Sequence, residues 1–358
     1  MRVWLLSRVL PSKDDAVAGV FVLDQARALQ GRAQVDLLHV RGWSLRTRPQ
    51  RALRPAKAMT YVVPPRRIGL DLSLAARLLA RMIRRGRPDI LHVHWSTGLR
   101  GVTLAGRLAR VPVVFTEHGG PFPGRGARVP EARRALNGAT IVLPVSDWLR
   151  HQLVEQGVTV PMRVVPNVVD PCFAPTPLPF DTPVLVAVVA RLAGFDKGVL
   201  EIIDAAGQLH RAGFDIELTV VGDGRDRPHL EVAAAQASCP VRFTGSLDRA
   251  EIAEVLAAST MLVSATRSYE TFGVAVAESL AAGRPVVATA VGAIPDLVRP
   301  GKNGVLVAHT DPALIADGMR RVAESTWRPD QIAATVAHCS PASVASALLE
   351  IYGGLSAG

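Results

Sequence analysis

Residues 265–290 read ATRSYETFGVAVAESLAAGRPVVATA. The apolar Met261-Leu262-Val263 ahead of this run predicts a buried strand. Val274 to Ala282, rich in Ala, Leu and Glu, predicts a helix, and Gly283 sits where a left-handed residue ends one. Pro285-Val286-Val287-Ala288 then begins another strand. Strand, loop, helix and strand in this order belong to an α/β fold. The order puts Glu270 in the strand-to-helix loop and Glu278 on the helix. A helix start offers unpaired N–H groups and the positive end of a dipole. Phe272, Gly273 and Val274 mark that start, and Gly273 lets an anion approach the backbone, as a phosphate would. Glu278 lies about 7–8 Å further along, at 1.5 Å per residue. A carboxylate there repels phosphate but accepts hydrogen bonds from a diol such as ribose. Glu270 can do the same for a second sugar. Diphosphate at the helix tip with hydroxyls on both acids describes a sugar nucleotide. Two solvated carboxylates without a role are the plain alternative.

The whole string resembles the signature of the retaining glycosyltransferases of family four. That signature has a Glu, Phe-Gly, a second Glu eight positions after the first, and small-x-Gly-x-Pro-Val-Val-Ala, all present here. The resemblance implies the GT-B fold: two doubly wound Rossmann-like α/β domains facing a cleft, with a C-terminal helix returning to the first. It also implies a nucleoside-diphosphate sugar as substrate, no cofactor, and retention at the anomeric carbon without a metal.

A chain of 358 residues is long enough for two domains. Three widely spaced cysteines, Cys172, Cys239 and Cys339, form no disulfide framework or paired metal motif, which suggests a reducing cytosol. The start, MRVWLLSRVLPSKDD, reads as a first strand rather than a signal peptide, and no run approaches 18 apolar residues. The net charge of +10 is uneven. Residues 1–172 hold 27 Lys+Arg against 11 Asp+Glu, a balance of +16, and the remainder 14 against 20, a balance of −6. Residues 41–70 carry eight basic side chains and no acidic one, with Trp43, Leu45 and Leu53 interleaved. Arg77, Arg81, Arg84 and Arg85 follow at helical spacing, which places them on one face. Such a surface suits anionic lipid. A merely solvated basic face is the bland reading. A nucleic-acid-binding protein is the rival from another class. It leaves the Glu270–Glu278 run without a purpose, and the chain lacks regular aromatic stacking platforms.

Along the chain, Arg2 to Val9, Gly19 and the helix with Val22, Ala26 and Leu29 make the first strand–loop–helix unit. GVFVLDQARAL resembles the family's N-terminal glycine loop, which would bring Gly19 to the donor phosphates from the opposite domain. His92 and His94 share one strand face, but no third metal ligand stands near them in sequence. His118 ends the strand from Pro112 to Thr116, where open sheets bind ligands. By resemblance it would hydrogen-bond the donor sugar, with Gly119 and Gly120 keeping the acceptor path open. Residues 125–134 beyond them would then make a mobile acceptor loop, an expectation that no motif carries. Asn167 is followed by Val168 where the family has Gly, which weakens any donor-side role for that loop. Five prolines from Pro171 to Pro183 make a linker. The expected domains are therefore 1–172, with a returning helix at about 340–358, and 173–339. Arg191 at a strand tip and Lys197 at the next helix start can converge on a diphosphate, and "Ala-Arg-Leu…Lys-Gly" resembles the family's basic pair. Gly222-Asp223-Gly224 lacks the third glycine of a dinucleotide fingerprint, since Arg227 stands there, which disfavours hydride transfer. Leu247 would border the base.

The expectation is a cytoplasmic hexosyltransferase moving sugar from a UDP- or GDP-linked donor to a lipid-linked or saccharide acceptor. Catalytic residues would be His118, Arg191, Lys197 and Glu270. Donor contacts would come from Gly19, Glu278, Phe272, Gly273, Val274 and Leu247. A sugar-nucleotide epimerase or hydrolase sharing the donor site is the alternative within the fold.

Overall fold

The computed structural model describes residues 1–11, 18–41, 59–62, 67–95, 100–119, 129–179 and 183–356 (backbone only at 41, 59–62, 67–70 and 129). The chain divides into two compact units, residues 1–168 with 341–358, and residues 169–340.

Unit 1 runs β1 (Arg2–Ser7), α1 (Val20–Ala28), β2 (Gln34–Arg41), β3 (Met59–Val62), α2 (Arg67–Arg85), β4 (Ile90–His94), α3 (Arg100–Ala109), β5 (Val113–Glu117), α4 (Val129–Leu136), β6 (Ile141–Pro144) and α5 (Asp147–Glu155). Its strands pair in parallel in the order β3-β2-β1-β4-β5-β6. Every residue of β4 and β5 is buried, as expected for parallel strands covered on both faces. Ser146 caps α5 by accepting the Leu149 N–H at 3.1 Å.

Unit 2 runs β7 (Val184–Val189), α6 (Val199–Arg211), β8 (Ile216–Val221), α7 (Arg227–Gln236), β9 (Val241–Gly245), α8 (Arg249–Ala257), β10 (Met261–Ser264), α9 (Val274–Ala281), β11 (Val286–Thr289), α10 (Ile294–Leu297), β12 (Gly304–Val307), α11 (Pro312–Ala323) and α12 (Pro329–Ala334). Its parallel strands are ordered β12-β11-β10-β7-β8-β9. Val186, Val188, Leu218, Val220, Met261 and Val263 meet α6 and α11 in one core. Asp248 and Glu251 form a reciprocal capping box on α8.

The last helix, α13 (Pro341–Ser356), belongs to unit 1. Val344, Leu348, Ile351 and Tyr352 recur at i, i+4, i+7 and i+8, one helical face. That face is buried against Val3, Ile90, Val114 and Leu143 of the sheet. Each such side chain contributes about 1.5–3 kcal/mol when fully buried.

Two expectations change here. Arg81 does not join a solvated basic face: it is 5% exposed, with its guanidinium 4.9 Å from the Trp4 ring centroid. An apolar β1 side chain under α2 draws the long Arg stem inward, and the ring face receives its charge. Residues 129–134 lie in the helix α4 rather than in a loop, and Arg125 of that expected loop lies outside the described residues. Trp43, Leu45, Leu53 and Gly120 also lie outside them.

Arg284 is fully buried in unit 2. It donates to the carbonyls of Leu256 and Ala257 at the end of α8, and to the carbonyls of Thr176 and Pro177 in the linker, all at 3.0 Å. It also donates to the Thr176 hydroxyl. Burial lowers its pKa, and the carbonyl end of a helix dipole offsets part of that cost. The guanidinium thus staples the proline-rich segment onto α8. Arg284→Ala removes the charged donor that these carbonyls share and leaves a cavity at a fully buried position, so unit 2 should lose about 3 kcal/mol, measured by chemical denaturation.

Candidate active site

The second sheet reverses its strand order between β7 and β10. Ligands of open α/β sheets bind outside the carboxyl ends of the strands at such a reversal. Two loops leave from there, 190–198 after β7 and 265–273 after β10. Gly198 is left-handed, with φ 65°, and starts α6. A Cβ on it would lie 2.0 Å from the Ala265 carbonyl oxygen. Only glycine therefore lets the two loops touch.

Lys197 and Glu270, one from each loop, form an ion pair, with Lys197 Nζ donating to Glu270 Oε1. Their side chains are 31% and 25% exposed, so a ligand can reach them. Arg191 and Lys197 line one cavity of about 460 Å³, with Phe195, Asp226 and His229. A neighbouring cavity of about 690 Å³ is lined by Glu201, Arg267, Thr289 and His309. Gly273, with φ 89°, starts α9 without a side-chain cap. The first N–H groups of α9 have no carbonyl within the helix to bond, and Val274 is exposed. Glu278 is the fifth residue of α9 and is 7% exposed. Phe272 is 4% exposed, so its ring packs inside unit 2. Leu247 is half-buried between β9 and α8.

The expected partners of Lys197 and Glu270 were a diphosphate and a sugar, respectively. The structure joins them to each other.

In unit 1, Gly19 is left-handed (φ 72°) at the start of α1, and a Cβ there would meet the Val9 carbonyl at 2.4 Å. Beside it, Phe21 lies 4.0 Å from the His118 ring centroid and 4.9 Å from that of Trp95. His118 is buried, and both its ring nitrogens are engaged. Asn167 Oδ1 lies 3.0 Å from His118 Nδ1. An amide oxygen only accepts, so Nδ1 carries the proton and Nε2 the lone pair. That lone pair takes the Nδ1–H of His94 at 2.8 Å. His94 Nε2 is then a buried acceptor with no hydrogen-bond partner among the described residues.

His92 is structural. Burial raises the Tyr352 phenol strongly, so its hydroxyl donates to His92 Nδ1 at 2.5 Å. His92 Nε2–H then donates to Thr116 Oγ1 at 2.7 Å. Sequence reasoning gave Asn167 no task. Its signal was a polar residue between the apolar Val165 and Val168, both buried in the core of unit 1. Among the described residues no group of three or more His, Cys, Asp or Glu is arranged to hold a metal ion. No described helix is long and apolar enough to cross a membrane.

Residues 18–172 match the profile "Glycosyltransferase Family 4" and residues 183–325 match "Glycosyl transferases group 1". A D-inositol 3-phosphate glycosyltransferase of Catenulispora acidiphila is 30% identical over 86% of this chain and 82% of its own length. The chain spans 62% of a protein of the same description from Nocardioides sp., also at 30% identity.

The chain is a family 4 glycosyltransferase.

A GDP-mannose-dependent phosphatidylinositol dimannoside mannosyltransferase of Mycobacterium tuberculosis is 30% identical over 78% of this chain and 75% of its own length. The crystal structure of Anabaena HepE in complex with UDP covers 99% of this chain and 100% of that one, with TM-score 0.76 and 20% identity. With two parallel-sheet α/β units and such neighbours, this family 4 enzyme has the GT-B fold.

Burial holds His92, His94 and His118 of unit 1 neutral. His92 and His118 are lowered to about 3, and His94 well below its usual value. The unfolded chain takes up these protons below about pH 6.5, before the folded chain does. The stabilisation is complete above pH 6.5 and drains away as pH falls toward about 3. Denaturation midpoints of unit 1 should therefore drop steadily on acidification through that window. His92→Gln should flatten the slope.

Proposed function

We propose that the enzyme transfers a hexosyl unit, with retention and without a metal ion, from a UDP- or GDP-linked donor to a saccharide or lipid-linked acceptor. The supporting observation is the gathering of Arg191, Lys197 and Glu270 at the strand-order reversal of unit 2. Arg191 offers a planar fork and Lys197 a point charge to the departing diphosphate. The start of α9 at Gly273 and Val274 adds backbone N–H groups and a positive dipole end. Charge that develops on the leaving group is met by charge already in place. Glu278 takes ribose hydroxyls and Glu270, once released by Lys197, the sugar hydroxyls. In this reading the acceptor attacks from the face the diphosphate leaves, through an ion-pair-like transition state. Gly19 and His118 serve from unit 1. The bond between His118 Nε2 and His94 must open for that ring to reach a sugar.

Relatives named for GDP-mannose and a neighbour named for UDP leave both bases in play. Melting the full chain against UDP, GDP and their sugars should show a rise with one family of nucleotides. Lys197→Ala and Glu278→Ala should each cut transfer about 100-fold or more. Near-wild-type turnover in both overturns the reading. Product appearing at equal rate without acceptor marks a hydrolase or epimerase instead.

A surface of unit 1 supports a peripheral site on an anionic membrane face in the cytoplasm. The packed pair α2 and α3 exposes Leu72, Ile83 and Leu108 beside Arg77, Arg84, Arg85, Arg107 and Arg110. Each near-surface cation adds about 1 kcal/mol of attraction to anionic lipid. The chain should float with phosphatidylserine vesicles at low salt and release at high salt. Equal flotation with neutral vesicles counts against it.

A further inference from the structure

The segment between Arg191 and Lys197 carries both cations of the proposed donor site, and its backbone is unusual. Phe195 has φ 52° and is 46% exposed, directly after Gly194 at φ 99°. Left-handed backbone is unfavourable for a bulky residue and persists where its surroundings over-determine it.

Two sets of contacts hold this loop. On the α7 side, Asp226 is 6% exposed and takes the N–H groups of Gly194 and Phe195 on one oxygen, Oδ2. Consecutive N–H groups around one oxygen make an anion nest, here filled by the protein's own carboxylate. On the β10 side stands Arg267. Its backbone N–H donates to the Asp196 carbonyl at 2.7 Å. Its guanidinium gives Nη1–H to the Phe195 carbonyl at 3.0 Å and Nη2–H to Glu201 of α6. The adjacent Ser268 hydroxyl donates to Asp196 Oδ2 at 2.9 Å. Arg267 therefore ties the loop of Lys197 to the loop of Glu270 and to the first turn of α6.

We propose that Arg267 is a positioning residue for donor binding: its guanidinium fixes the Phe195 carbonyl against α6, and so sets where Lys197 places its ammonium. Lysine is a point charge on a flexible stem, so the site of its Cα decides what it reaches. A displacement of 1 Å in such a group is felt as a large loss of binding or rate. The planar fork serves Phe195 and Glu201 at once, which a lysine cannot do. Losing the side chain leaves the Arg267 N–H to Asp196 bond in place, so the fold persists while the loop relaxes. This inference rests on the donor reading above.

The test titrates UDP and GDP calorimetrically into the full chain as wild type, Arg267→Ala, Arg267→Lys, Lys197→Ala and the double Ala variant. Amide exchange over 192–198 and the melting temperature are followed in parallel. For whichever nucleotide binds, Arg267→Ala should weaken affinity about ten-fold, with Arg267→Lys between it and wild type. Exchange at 193–197 should quicken while the melting temperature stays near that of wild type. Adding Arg267→Ala to Lys197→Ala should change nothing further, because a residue acting only through Lys197 has no effect once Lys197 is gone. Wild-type affinity in Arg267→Ala, unchanged exchange, or full additivity with Lys197→Ala overturns the inference. If Lys197→Ala binds like wild type, or neither nucleotide binds, the donor reading fails and the inference with it. If Lys197→Ala weakens binding and Arg267→Ala does not, the inference alone fails.

Discussion

A lysine and a glutamate from two separate loops meet where the strand order of unit 2 turns back on itself. Each loop is long and each side chain is partly wet. A single exposed ion pair of this kind contributes little to stability. What makes the contact definite is the backbone beneath it. Gly198 lies against the Ala265 carbonyl, Arg267 and Ser268 grip Asp196, and Asp226 fills the nest at Gly194 and Phe195. The ion pair reports on a junction that backbone hydrogen bonds already hold. Lys197 Nζ is held on the Glu270 carboxylate at the mouth of that junction.

Unit 1 is organised differently around its strand ends. Instead of charge it gathers neutral imidazoles, stacked and hydrogen-bonded in a row. Asn167 sets the proton at one end of one pair, and Tyr352 sets it in the other ring. Low dielectric favours this arrangement only while every ring stays uncharged. Among the described residues His94 Nε2 has no hydrogen-bond partner.

The fold was legible because its signals are local and repeated. Continuous apolar runs gave the parallel strands, and glycines marked helix starts and ends. Val344, Leu348, Ile351 and Tyr352 carry a face that reads as buried without any coordinates. The candidate site could be drawn from the sequence because Glu270, Gly273 and Glu278 are neighbours along the chain, and because Arg191 and Lys197 flank one strand-to-helix turn. Their mutual arrangement could not. Nothing in spacing says that Lys197 faces Glu270, 73 positions away. Arg81 also misled, since helical periodicity assigns a face but cannot tell that Trp4 lies beneath it. The bond of Asn167 to His118 and the ties of Arg267 could not be read from the sequence, because they are made to residues far along the chain.

The place of α13 has a consequence for biosynthesis. Val344, Leu348, Ile351 and Tyr352 complete a core whose other members begin at Val3. The whole of unit 2 is translated between them. Unit 2 has all its residues as soon as it clears the ribosome tunnel, whereas the nascent sheet of unit 1 must wait with one face uncovered. During that interval Val3, Ile90, Val114 and Leu143 lack the helix that buries them in the finished protein. Truncation near residue 340 would extend that exposed state for the life of the protein.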